Sequence, residues 1–237
     1  CGIASYSEHL IENFIENVEI FAHTSNELIY EDEKNVNRCW DINSPDLDYL
    51  YDQIIDAQIT SLIIQFNYGF FNFSKFDSFI RKIKSKNLSI IIFLHSTNDP
   101  PSLHDKRLSN LSSAFKIADK ILVHTPKDLN RLKSLDLINN VALFPHGIIE
   151  NKVLNSKKKS SNNSCKIIAT FGFCLPNKGF QELIYSVVKL NKKGYHFKLV
   201  MYTSIYNQNY LSYYKKLIKL IESLQAQDYI QIDAEYK

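Results

Sequence analysis

Apolar positions along this chain alternate between a helical rhythm and short continuous runs. Leu10, Ile11, Phe14, Ile15 and Val18 share one helical face, and Leu47, Leu50, Tyr51, Ile54 and Ile55 share another. The run "SLIIQF" (61–66) does not alternate, so it reads as a strand buried on both faces. Phe76, Phe79, Ile80 and Ile83 then predict a helix whose tail, "RKIKSK", puts cations where the helix dipole favours them. A strand over "LSIIIFL" (88–94) follows, then a helix ending near Ala118 and a strand over "KILVHT" (120–125). Thr125 is placed to cap the next helix, with Pro126 at its first position and Asp128 in its first turn. The strand "NVALF" (140–144) runs into Pro145, His146 and Gly147.

Residues 151–164, "NKVLNSKKKSSNNS", are polar, lysine-rich and without periodicity, which predicts a linker. Beyond them the rhythm restarts, with strands over 166–171, 197–203 and 228–232 and helices over 177–191 and 209–225. Repeated strand–helix units of this length imply an α/β fold, a mostly parallel sheet covered by helices and wound in the right-handed sense. Two such units, 1–150 and 165–237, joined by a flexible segment would form a cleft, a common ligand site. Ligands of parallel sheets sit outside the carboxyl ends of the strands. The loops after residues 66, 94, 124, 144 and 171 are therefore the ones that matter.

Composition narrows the picture mainly by exclusion. Of 237 residues, 45% are hydrophobic, enough for a sizeable core, and the net charge of +3 is too small to imply an acidic partner. Arginine occurs only at positions 38, 81, 107 and 131, and no basic cluster dominates, so nucleic acid is not an expected partner. The cysteines Cys1, Cys39, Cys165 and Cys174 lack zinc-like spacing and read as free thiols of a reducing compartment. No apolar run is long enough to span a membrane. Lys215, Lys216 and Lys219 cluster on a helix and leave a peripheral membrane contact open, with a solvated face as the default. The chain opens directly on a helix, with no strand before it, and stops within a strand-like run. It reads as an internal fragment of a longer protein.

The stretch "KIIATFGFCLPNKGFQELI" (166–184) carries the most specific chemistry. Phe180, Leu183, Ile184, Val187 and Val188 define a helix face, and Asn177 is a candidate cap. Lys178 then falls in the first turn, where exposed N–H groups already present positive charge. That placement is unfavourable unless an anion binds there, and phosphate is the ordinary candidate. Gly172 and Gly179 permit close backbone approach, although Lys178 pointing to solvent and Gly179 easing helix–strand packing explain the stretch equally well. The spacing matches neither a Walker A loop nor G-x-G-x-x-G. His95, His124 and His146 each end a predicted strand. Of these, His124 reads as local structure, His146 as a neighbour of the inter-domain hinge, and His95 as the functional candidate. In "QFNYGFF" (65–71), Asn67 and Tyr68 are the polar candidates for an acceptor side, while packing accounts for Phe70 and Phe71.

Together "CGIASYSEHL", "VHTPKDLNRL", "NVALFPHGI" and "FGFCLPNKGFQELI", in this order and spacing, resemble family 4 of the retaining, nucleotide-sugar-dependent glycosyltransferases. The resemblance implies a GT-B architecture: two Rossmann-like, doubly wound domains facing each other across a cleft. Here the acceptor-side domain (1–150) would lack its first strand, and the nucleotide-sugar domain (165–237) would be incomplete. It implies that Gly2 lies in a loop beneath the donor phosphates or the acceptor. Gly172, Asn177, Lys178 and Gly179 would hold the donor, Lys178 would stabilise the departing diphosphate, and His95 would sit near the transferred sugar. The implied reaction is transfer to an acceptor hydroxyl with retention, in bacterial glycan or envelope polysaccharide synthesis. The acceptor would be a glycan or lipid-linked sugar, with no metal and no cofactor. The implied location is the cytoplasm, including the inner face of its membrane. Two departures count against activity. Phe173 stands where many relatives carry an arginine, and the family's paired glutamates would fall beyond Lys237. A non-catalytic sugar-nucleotide-binding domain and a sugar-nucleotide epimerase of similar fold are the alternatives.

Overall fold

The computed structural model describes residues 2–25, 34–44, 46–101, 105–148, 165–205 and 208–234. They belong to two compact units, Cys1–Glu150 and Asn151–Lys237. The linker expected over 151–164 lies outside the described residues.

Unit 1 contains α1 (Gly2–Ile11), β1 (Ile20–His23), β2 (Val36–Trp40), α2 (Asp48–Asp56), β3 (Ser61–Phe66), α3 (Phe73–Lys84), β4 (Ser89–Leu94), α4 (Ser112–Ile117), β5 (Lys120–Val123), α5 (Pro126–Lys133) and β6 (Val141–Leu143). Strands β3, β4, β5 and β6 form a parallel sheet in sequential order. Its register sets Phe66 beside Leu94, Leu94 beside Val123, and Val123 beside Leu143. Those residues mark the carboxyl edge, and whatever follows them in sequence is delivered to one side of the sheet.

The core of this unit is aromatic. Phe66 and Phe76 are 1% and 0% exposed, and their rings lie 5.5 Å apart, with Phe71 4.8 Å from Phe76. Each such side chain contributes about 1.5–3 kcal/mol by leaving water. Helix α3 forms where expected: Asn72 caps it by accepting from the Lys75 N–H, and Phe76, Phe79, Ile80 and Ile83 are buried. Its basic tail is ion-paired, Arg81 with Asp77, Lys82 with Asp48 and Lys84 with Asp119.

Three expectations for this unit need correction. The first helix ends at Ile11 and buries none of its residues fully, and Ile15 is 99% exposed, so the apolar face read through Val18 does not exist as one surface. Strand β3 is not buried on both faces. Leu62, Ile64 and Phe66 are buried while Ile63 and Gln65 are half-buried, because β3 is the outer strand of its sheet. Strands β1 and β2, which pair in parallel, were not anticipated. The sequence "VNRCW" is too polar to read as a strand, and tertiary bonds hold it: the Trp40 indole N–H donates to the Phe21 carbonyl at 3.1 Å.

Unit 2 is a three-stranded parallel sheet in the order β7 (Lys166–Phe173), β8 (Phe197–Ser204), β9 (Ile230–Asp233), with α6 (Phe180–Lys192) and α7 (Leu211–Ser223) as its connections. Phe180, Ile184, Val187 and Val188 of α6 pack with Leu199 and Met201 of β8 and with Leu217 and Ile221 of α7. The opposite face of the sheet is open: Ile167, Phe171 and Tyr202 are exposed, Phe171 by 81%.

Candidate functional site

The carboxyl edge of the β3–β6 sheet gathers the three histidines expected at strand ends. His95 follows β4, His124 follows β5, and His146 lies three residues past β6. The His124 and His146 rings stack at 3.7 Å, nearly parallel, and His95 and His124 lie 5.1 Å apart. Tyr6 of α1 inserts its ring edge-on among them, with centroids 5.2, 5.4 and 5.3 Å from His95, His124 and His146. His124 Nδ1 lies 2.9 Å from the Phe144 carbonyl oxygen, and His124 Nε2 lies 3.3 Å from His95 Nδ1. His95 Nε2 lies 2.7 Å from Gln65 Oε1.

Crowding of these rings discourages charge on His95 and His146. Burial, reinforced by His124 and His146, pushes the His95 pKa down to about 4. Burial and His124 act on His146 in the same direction. Among the described residues no group of three or more His, Cys, Asp or Glu side chains converges as a metal-ligand set.

Around this cluster a second set of bonds ties the loops together. Thr125 caps α5 by accepting from the Asp128 N–H, and its hydroxyl donates to the Asp128 carboxylate. The Thr97 hydroxyl donates to the other carboxylate oxygen at 2.6 Å. Burial works against charge on Asp128, but these hydroxyls outweigh it and hold its pKa below the usual carboxylate range.

Asn67 and Tyr68 occupy structural roles. The Asn67 side-chain oxygen accepts from the Gly69 N–H at 2.9 Å, shaping the turn after β3. Tyr68 belongs to the core, and its hydroxyl donates to Asp99, which is itself paired with Arg131. Gly2 is the first residue of α1 and is exposed.

In unit 2 the turn after β7 differs from its expected form. Gly172 lies within the strand, at φ 136°, a conformation that favours glycine. The helix begins at Phe180, not at residue 177. Pro176–Lys178 form a 3-10 turn, and Gly179, left-handed at φ 75°, is the residue that caps α6. Asn177 is therefore no cap. Lys178 stands ahead of the helix rather than in its first turn, where the charged residue is Glu182. The electrostatic conflict inferred from sequence is thereby relieved. The turn still presents ligand-binding features: Gly179 supplies no side-chain cap to the first N–H groups of α6, of which that of Gln181 faces the Tyr213 oxygen, and the exposed Lys178 ammonium has no hydrogen-bond or ion-pair partner among the described residues. Phe173, where an arginine was looked for, is 42% exposed at the end of β7.

Tyr6 and Gln65 went unnoticed in the sequence. His124 and His146 were visible, because parallel strands share one carboxyl edge, but their mutual contact was not. Tyr6 gave no signal, since the docking of α1 is a long-range event.

No protein-family profile and no curated protein matches the sequence. Solved structures do. A glycosyltransferase from Rickettsia africae superposes with a TM-score of 0.56 at 15% identity, covering 79% of this chain and 49% of that one. The α,α-trehalose 6-phosphate synthase of Burkholderia multivorans gives 0.59 at 14% identity, covering 78% and 49%. HepE of Anabaena, solved with UDP, gives 0.55 at 12% identity, covering 81% and 54%. The fold is GT-B. This chain spans about half the length of these GT-B structures. Among the described residues no helix is long and apolar enough to cross a membrane.

Proposed function

We propose that this chain is part of a glycosyltransferase that moves a sugar from a nucleotide-sugar donor to an acceptor hydroxyl with retention of anomeric configuration. The reading is carried by one observation: a GT-B fold whose unit 2 presents, at the carboxyl edge of its parallel sheet, a helix start without a side-chain cap and an ammonium without a partner among the described residues. A donor diphosphate matches both features, one as a row of hydrogen-bond donors and the other as a mobile charge. The same groups favour the products. As the bond from the anomeric carbon to phosphate breaks, negative charge grows on the diphosphate, and Lys178 stabilises it. The acceptor oxygen bonds to that carbon on the face the phosphate leaves, and the acceptor proton passes to the departing phosphate oxygen.

In this reading Gly172 and Gly179 let the backbone approach the diphosphate, and Asn177 and Lys178 flank it from the 3-10 turn. The histidine cluster, expected through His95, belongs to the sugar or acceptor side, with Gly2, Asn67 and Tyr68 supporting that side through α1 and the turn after β3. The acceptor is a glycan or lipid-linked sugar of bacterial envelope synthesis, met in the cytoplasm or at the inner membrane face. No cofactor or metal is assigned a role.

The test is to incubate the full-length protein with UDP-glucose, UDP-N-acetylglucosamine and GDP-mannose, and to follow nucleoside diphosphate release and the anomeric configuration of any product. Release with a retained product is the expected result, and inversion would refute the stereochemical claim. Tight nucleotide-sugar binding without release would favour a non-catalytic binding domain, the reading that Phe173, a side chain with no charge at the end of β7, recommends.

A further inference from the structure

We infer that His146 is the ligand-contacting imidazole of unit 1, and that His95 and His124 are positioning residues that hold it in place. The choice of a sugar hydroxyl as its ligand rests on the glycosyl-transfer reading; the assignment of the three rings does not.

Hydrogen counting separates the rings. A carbonyl oxygen only accepts, so the contact between His124 Nδ1 and the Phe144 oxygen puts the proton on Nδ1. An imidazole carrying that one proton has a bare Nε2. That atom faces His95 Nδ1 at 3.3 Å, so His95 donates from Nδ1 and is itself bare at Nε2. His95 Nε2 lies 2.7 Å from Gln65 Oε1; a bare Nε2 needs a donor there, so we assign the amide the flipped orientation, in which its NH2 takes the place of that oxygen. A single line of donation runs from Gln65 through His95 and His124 to the Phe144 carbonyl. Every ring nitrogen of the two inner histidines is consumed by it. A direct bond from His95 to a sugar, as expected from sequence, would require breaking this line.

His146 is built differently. It is exposed, and among the described residues neither of its nitrogens has a hydrogen-bond partner. Its plane is set by stacking on His124 at 3.7 Å and by the Tyr6 ring at 5.3 Å. The ring edge is thus held in one orientation while its donor and acceptor stay unused. Burial and the neighbouring His124 keep it from charging readily. A neutral imidazole offers one donor and one acceptor, which is the complement of a hydroxyl, whereas an anion would want two donors. The cluster therefore suits an uncharged hydroxyl, unlike the cationic turn of unit 2.

Two measurements test the assignment without any turnover. Long-range 1H–15N NMR of the histidine rings in the 237-residue chain is expected to show His95 and His124 as Nδ1–H tautomers. Diethyl pyrocarbonate, which acylates a free neutral imidazole nitrogen, is expected to modify His146 while sparing His95 and His124 in peptide mapping. Equal modification of all three, or an Nε2–H tautomer at His124, overturns the proposal. Activity adds a third arm in the full-length protein. His146→Phe keeps the stack and removes both hydrogen-bonding atoms, and is expected to lower kcat/KM by about tenfold, the worth of one ordinary hydrogen bond, without moving Tm. His146→Gln is expected to restore part of the loss. An unchanged kcat/KM in His146→Phe overturns the ligand role. If the wild-type protein turns over none of the three nucleotide sugars, it is the glycosyl-transfer reading that fails, and the tautomers and the modification pattern still decide the assignment of the rings.

Discussion

The two units place their chemistry at the same address and fill it in opposite ways. Each is a parallel sheet whose carboxyl edge collects the strand-to-helix turns. In unit 1 that edge is crowded: three imidazoles and Tyr6 interlock, the ring nitrogens of His95 and His124 are paired off, and positive charge on His95 is disfavoured. In unit 2 the edge is backbone and one ammonium, with Gly179 turning left-handed at the N-cap so that α6 starts without a side-chain cap. Topology selects the location, and burial selects the chemistry. A titratable group pushed among rings loses its charge, whereas one left in water keeps it. The sheets differ in the same sense. The aromatic core of unit 1 surrounds Phe66 and Phe76, whereas one face of the unit 2 sheet leaves Phe171 largely in solvent.

The sharpest way to separate the units is to damage one core. Phe76→Ala removes a ring that is 0% exposed and is expected to cost about 3–5 kcal/mol. Amide hydrogen exchange should then accelerate in β3–β6 and not in β7–β9, and a matching loss in both would mean the units do not fold separately. Next comes the exposed cation. Lys178→Ala is expected to lower kcat of the full-length protein by about ten- to a thousandfold, the range for losing a charge-stabilising group, with the melting curve unmoved. Kinetics identical to wild type would remove Lys178 from the site.

A smaller effect follows from the crowded edge. The folded-state pKa of His95, about 4, lies below its ordinary value near 6.5. The unfolded chain therefore binds more protons between those values, so stability is full above about pH 6.5 and falls as the pH drops towards 4. For a half-buried ring screened by solvent the loss is about 1–2 kcal/mol. Carboxylates such as Asp77 and Asp119, held low by Arg81 and Lys84 respectively, lose their contribution at more acidic pH. Denaturant midpoints at pH 7 and pH 5 should thus differ more for wild type than for His95→Gln, and equal differences would show that His95 is not the source. The smallest effect belongs to the open face of unit 2. Phe171→Thr is expected to change stability by no more than about 0.5 kcal/mol, because the ring is already in water. A loss of several degrees in Tm would mean that something covers that face.

Much of this architecture could be read from residue pattern. Phe76, Phe79, Ile80 and Ile83 announced α3, and Thr125, Pro126 and Asp128 announced the start of α5, because caps and apolar periodicity are local properties. Strands β1 and β2 escaped because their stability comes from pairing and from the Trp40 bond to Phe21, not from an apolar run. The start of α6 was placed three residues early, because Asn177 has the chemistry of a cap while Gly179 has the backbone conformation the turn demands. Asn67 and Tyr68 looked like exposed polar candidates. One is spent on its own turn and the other on Asp99.

By itself the sequence determined the order of strands and helices and the edge at which the histidines and the glycine–lysine turn would emerge, because periodicity and strand polarity are written residue by residue. Only the tertiary structure decided which of those side chains remain available. His95 and His124 are used up by one another and by Gln65 and Phe144, while among the described residues His146 and Lys178 have no such partners. Hydrogen-bond capacity is consumed by neighbours in space, and Tyr6, which completes the cluster, lies 89 and 140 positions from His95 and His146 along the chain, the differences 95 − 6 and 146 − 6.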